Sequence, residues 1–157
     1  MKAIVFASCA AAFGLLLSSP QVVMCQDSNA GSTLQVHLNY TGTGTVDENH
    51  KIYVALWDSP DFVKSEMPPF ATQPASSKDG VVTFENVKKT PVYVSTAYDP
   101  KGQWDAQSPP PDGSSLGLYS KTPGQATAVD LKPGKITKIE LAFDDSVKMK
   151  GGKATPQ

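Results

Sequence analysis

Carboxylates, aromatic rings and a glycine cluster where an apolar run passes into a turn, at residues 90–105. Asp99 and Asp105 stand six positions apart around Gly102, and Asp58 and Asp61 occupy a second Asp-rich turn. Calcium takes six to eight oxygen ligands, and carboxylates spaced along a turn, with backbone carbonyls between them, are a source of such oxygens. Asp99, Asp105, Asp58 and Asp61 are therefore the candidate cation ligands, with Asp112 as a further contributor. Lys101 and Gln103 occupy positions where a strong calcium loop carries Asp or Asn. In the plainer reading Asp99 caps the turn and Asp105 is solvated. Trp57, Tyr98, Trp104 and Tyr119 supply a second chemistry, an aromatic platform for a sugar ring or a peptide. Trp57 ends one apolar run and Trp104 follows another, which places both at one end of the domain. Against this stands burial, the usual fate of large aromatic rings.

Catalysis has little to work with. His37 and His50 are the only histidines, and no Ser sits in a nucleophile-elbow pattern. A two-His metal site would need a carboxylate such as Asp47 or Glu48 beside both; two solvated histidines are the alternative. Asp144 and Asp145 read as a solvating chain end. A hydrolytic enzyme is thus carried only as an alternative, and the expectation is a chain that is not an enzyme and holds no cofactor, calcium excepted.

The elements that position these residues are strands. Residues 33–40 alternate, with Leu34, Val36, Leu38 and Tyr40 on one face. Residues 50–57 are apolar on both faces, which suits a strand in mid-sheet. Residues 67–74, stiffened by proline, form an edge or a surface loop held by Phe62, Met67 and Phe70. Lys78-Asp-Gly80 signals a hairpin into a strand over residues 81–87. The focal strand covers Val92 to Tyr98, and residues 106–115, with a triple proline, form a stiff loop. Short strands are expected at 116–119, 125–131 and 136–143, the last with Ile139, Leu141 and Phe143 inward. About seven strands with turns between them, and no helical spacing beyond two turns, predict a single antiparallel β-sandwich of transthyretin-like or immunoglobulin-like architecture over residues 33–145.

The ends read differently. Met1 and Lys2 followed by an apolar run to Leu17 form a secretory signal peptide, over residues 1–25, of bacterial appearance, and the run is too short for a membrane span. A lipid anchor at Cys25 is disfavoured, because Met24 is bulky before a lipidated Cys. Cys9 lies in the signal, so the mature domain carries no thiol for a disulfide or a Cys-based site. A polar leader spans residues 26–32, and residues 146–157 read as a basic, disordered tail. The 157 residues carry a net charge of −1, which offers neither nucleic acid nor an anionic membrane any bulk attraction.

Two segments resemble a known family. Residues 82–94 are similar to the strand, "F-x-x-L" corner and "Y-x-V" strand of transthyretin-like and carboxypeptidase regulatory-like modules of secreted bacterial proteins. Residues 131–141 resemble their closing hairpin. Thr90-Pro91 replaces the family's turn glycine. Residues 53–62 and 98–105 also look like a secreted bacterial domain whose second segment is a longer "D-x-N-x-N-G" loop. The resemblance implies a secreted or periplasmic, non-catalytic binding or structural module, with a protein or glycan of the cell envelope as partner. A carbohydrate- or calcium-binding module acting through the Asp58, Asp99 and Trp104 loops is the alternative.

Overall fold

Strict alternation makes the first strand amphipathic and sets the whole architecture. In the computed structural model, which describes residues 30–62 and 68–157, β1 (Ser32–Tyr40) buries Leu34, Val36, Leu38 and Tyr40 and turns Gln35, His37 and Asn39 outward. The expected signal peptide, Cys25, most of the leader and Met67 lie outside the described residues. β1 is the centre of a three-stranded sheet. On one side it pairs antiparallel with β4 (Asp79–Val87), on the other in parallel with β7 (Ile136–Phe143). The parallel pair corrects the expected all-antiparallel arrangement. β7 returns to this sheet only after the chain has laid down four strands of the second one, so its direction is set by that crossover and not by a hairpin.

The second sheet has six strands, whose order from edge to edge is residues 71–75 (β3), 52–57 (β2), 93–98 (β5), 115–118 (β6), 147–150 (β8) and 153–156 (β9). β2 (Ile52–Trp57) and β5 (Tyr93–Tyr98) form its antiparallel heart, flanked by β3 (Ala71–Ala75) and β6 (Ser115–Leu118). Ile52, Val54, Leu56, Val94 and Tyr98 pack with the inward residues of β1, β4 and β7 in one core. The fold is thus all-β and sandwich-like, and no helix occurs among the described residues. Each buried aliphatic side chain in that core contributes about 1.5–3 kcal/mol by leaving water.

Three local expectations need correction. Lys78-Asp-Gly80 does not close a hairpin: it carries the chain from β3 in one sheet to β4 in the other. Residues 125–131 make only bridges, although Val129 and Leu131 are buried as expected. Val129 exchanges two hydrogen bonds with Val92 (3.0 and 2.8 Å), and the pairing goes no further. The Leu131 N–H turns instead to the Thr90 hydroxyl (2.9 Å). The third correction is the tail. β8 (Val147–Lys150) and β9 (Lys153–Pro156) form a hairpin on the β6 edge, closed by Gly151 and Gly152 at φ 58° and 74°. Left-handed conformations at both turn positions are what a two-residue type I′ hairpin demands, and Gly-Gly meets that demand without strain.

Candidate functional site

Asp99 ends β5 and is buried at 4% exposure. Its carboxylate accepts the backbone N–H groups of Lys101 (3.0 Å), Gln103 (2.9 Å) and Trp104 (3.1 Å), and its carbonyl accepts that of Gly102 (3.1 Å). A carboxylate ringed by amide donors organises a turn, and its oxygens are aimed at protons rather than at an ion. Gly102 has φ 64°, and a Cβ there would come within 2.5 Å of the Asn49 carbonyl oxygen. The loop therefore fits closely against the turn at 47–50. In that turn Asp47 accepts the N–H groups of Asn49 and His50 and approaches the His50 ring at 2.9 Å; these bonds, led by the one to His50, hold its carboxyl below the usual range.

The expected cation ligands are not brought together. Trp57 is in register with Tyr93 and Ile52 with Tyr98. Asp58 and Asp61 therefore follow one end of the β2–β5 pair and Asp99 and Asp105 the other, about 17 Å away along five residue steps. Asp58 binds Lys89 Nζ at 2.6 Å, and this bond lowers its pKa. Asp105 accepts the N–H of Gln107 (2.9 Å). Among the described residues no three His, Cys, Asp or Glu side chains converge as metal ligands. The two histidines are held separately, His37 by Asp79 (2.7 Å) and His50 by Asp47.

The same antiparallel pairing splits the aromatic set. Tyr98 faces the core at 1% exposure and donates its hydroxyl to the Thr45 carbonyl (2.7 Å), so it offers no ligand surface. Tyr119 packs partly buried against the core. Trp57 and Trp104 lie on the outer face of the six-stranded sheet, at opposite ends. Trp57 stacks on Phe62 (centroids 4.7 Å, planes 15° apart) and donates Nε1–H to Ser95 Oγ (2.8 Å). Trp104 meets the Tyr53 ring edge-on at 5.0 Å and donates Nε1–H to the Ser108 carbonyl (2.8 Å).

Tyr53, Tyr93, Leu116 and Leu118 join them on this face, and sequence reasoning missed them as a group. The signal was present in β2, whose outward positions Tyr53, Ala55 and Trp57 are as apolar as its inward ones. Register aligns Trp57 with Tyr93 in one row and Tyr53 with Ala97 and Leu116 in another. Those rows lie about 13 Å apart, with Ala55 and Ser95 between them. All of these except Ala97 are partly exposed, and none of them is charged.

Asp145, expected to be solvated, is the centre of the main polar cluster. It accepts hydrogen bonds from Tyr40 Oη (2.7 Å), Thr43 N and Oγ1 (both 2.9 Å) and Ser115 Oγ (2.6 Å), with Lys148 Nζ at 3.4 Å. Burial alone would raise its pKa; the hydrogen bonds from Ser115, Thr43 and Tyr40 outweigh it and hold the carboxyl well below the usual range. Burial, followed by the bond to this carboxylate, pushes Tyr40 up to about 12. Ser115 is fully buried and donates to an acid with no basic strength, so the cluster has no activated nucleophile. It fastens β1, β6 and β8 to one another.

Comparison with protein-family models, with curated proteins and with solved structures finds no match.

Proposed function

We propose that the chain is a secreted, non-catalytic binding module of the bacterial envelope, as its resemblance to transthyretin-like modules implies, and that it binds through the outer face of the six-stranded sheet. One observation carries the reading: Tyr53, Trp57, Tyr93, Leu116 and Leu118 sit partly exposed on that face while the opposite face of the same strands fills the core. Placing rings on central strands fixes them at little entropic cost, and two aromatic rows spaced by small residues suit an extended ligand. The lack of any charge among these side chains favours a neutral glycan chain, whose C–H faces stack on aromatic rings, over an ionic polymer.

The two tryptophans of the protein, Trp57 and Trp104, stand at the two ends of this face and serve as built-in reporters. Titration with neutral oligosaccharides of the envelope should shift their emission and raise the melting midpoint; ligand at a hundredfold its Kd adds about 2.7 kcal/mol. Tyr93→Ala and Tyr53→Ala should each weaken binding about tenfold or more. If neutral glycans leave both the emission and the midpoint unchanged, the assignment of this face is wrong.

A further inference from the structure

β3 and β4 are edge strands of different sheets, joined at one end by residues 76–78. Away from that link the two edges separate and enclose a cleft of about 370 Å³ between the start of β3 and the end of β4. Phe84 and Val87 form its floor and Phe70, 36% exposed, forms a wall. A smaller hollow of about 110 Å³, sharing Val87, Lys88 and Lys89, continues it towards Thr90 and Leu131.

The edges themselves are poor templates for strand addition. Pro74 removes an amide from β3. In β4 a bulge between the pairs Ser32–Val87 and Leu34–Phe84 breaks the ladder, with Asn86 at φ 54°. Recognition in the cleft therefore falls to side chains. Lys89 is committed, bound to Asp58 at 2.6 Å and lying over the Phe70 ring at 4.7 Å. Lys88 lines the same cleft, is exposed, and makes no ion pair with a described residue. Gln73 and Asn86 add amides at the rim, and Glu85 adds one carboxylate that would repel a second negative charge on a ligand.

We propose that this cleft is a second binding site, for a monocarboxylic acid with an aliphatic or aromatic body. The apolar body lies on Phe70, Phe84 and Val87, and the carboxylate pairs with Lys88. The volume falls in the range of small-molecule pockets, and a charge-assisted bond to an ammonium that no described residue pairs with supplies the orientation. The site is separate from the outer face and does not depend on the reading given for it.

Calorimetry and amide chemical-shift mapping on the full chain test it, with octanoate, octanol and octylamine as probes. Octanoate should bind at one site and move the amides of residues 84–89. Lys88→Gln should weaken it about tenfold, while Lys88→Arg should retain it. Phe70→Ser should weaken octanoate and octanol alike, and Tyr53→Ala, on the outer face, should leave octanoate binding unchanged. Both Phe70 and Lys88 are exposed, so their variants keep the fold. Octanol binding as tightly as octanoate, octylamine binding more tightly, or unmoved amides at 84–89 would each overturn the proposal.

Discussion

Replacing Asp145 with Asn removes the charge that ties β1, β6 and β8 together while preserving side-chain size. The carboxylate accepts four hydrogen bonds between 2.6 and 2.9 Å, from Ser115, Tyr40 and both the amide and hydroxyl of Thr43. An amide can accept on its oxygen only; its NH₂ group must face one of these donors. The Tyr40 and Ser115 hydroxyls can rotate to accept, but the Thr43 N–H cannot. Hydrogen bonds to a charged group contribute about 1.5–3 kcal/mol each, and members of one network do not add. The expected loss at pH 7 is therefore about 2–3 kcal/mol. The sign of the pH dependence follows from the lowered pKa. The contribution of Asp145 is complete above the unfolded value of about 3.9 and is lost as pH falls towards the lower folded value. Each pH unit below 3.9 removes about 1.4 kcal/mol, because the unfolded chain takes up the proton first. Urea unfolding of both proteins at pH 7 and pH 3 checks this. The gap between them should shrink by about 1 kcal/mol at pH 3, and the other carboxylates, common to both proteins, cancel in the comparison. A gap under about 1 kcal/mol at pH 7, or one that does not change with pH, would refute the reasoning.

Asp99→Ala should lower stability by about 2 kcal/mol through three stranded amides, and millimolar calcium should move the melting midpoint of neither the parent nor the variant. A calcium-induced rise that Asp99→Ala abolishes would restore the cation site. Thr96→Val should stabilise the protein by about 1 kcal/mol, since Thr96 Oγ1 is buried with no partner among the described residues and Val keeps the shape. Destabilisation of more than about 1 kcal/mol in urea unfolding would mean that the hydroxyl has a partner.

The parts of the fold legible in the sequence are those written in local alternation. β1 and β7 declare their inward faces residue by residue, and Pro74 marks β3 as an edge. The Gly-Gly turn of the last hairpin is equally local, but the three lysines at 148, 150 and 153 give its strands the look of a solvated tail. What alternation does not contain is direction and distance. Trp57 ends one strand and Trp104 follows another, which from the sequence alone reads as one shared end. In an antiparallel neighbour pair the ends of the two strands point opposite ways, so the same observation places them at opposite ends once β2 and β5 are known to be adjacent. Asp145 was illegible for a related reason: its partners Tyr40, Thr43 and Ser115 lie 105, 102 and 30 residues away. Only the return of β7 beside β1 brings it to them. The outer aromatic face stands between these cases. A strand apolar on both sides announces two buried or bound surfaces, and the core accounts for one of them. The other, carrying Tyr53 and Trp57, is where a partner has to be sought.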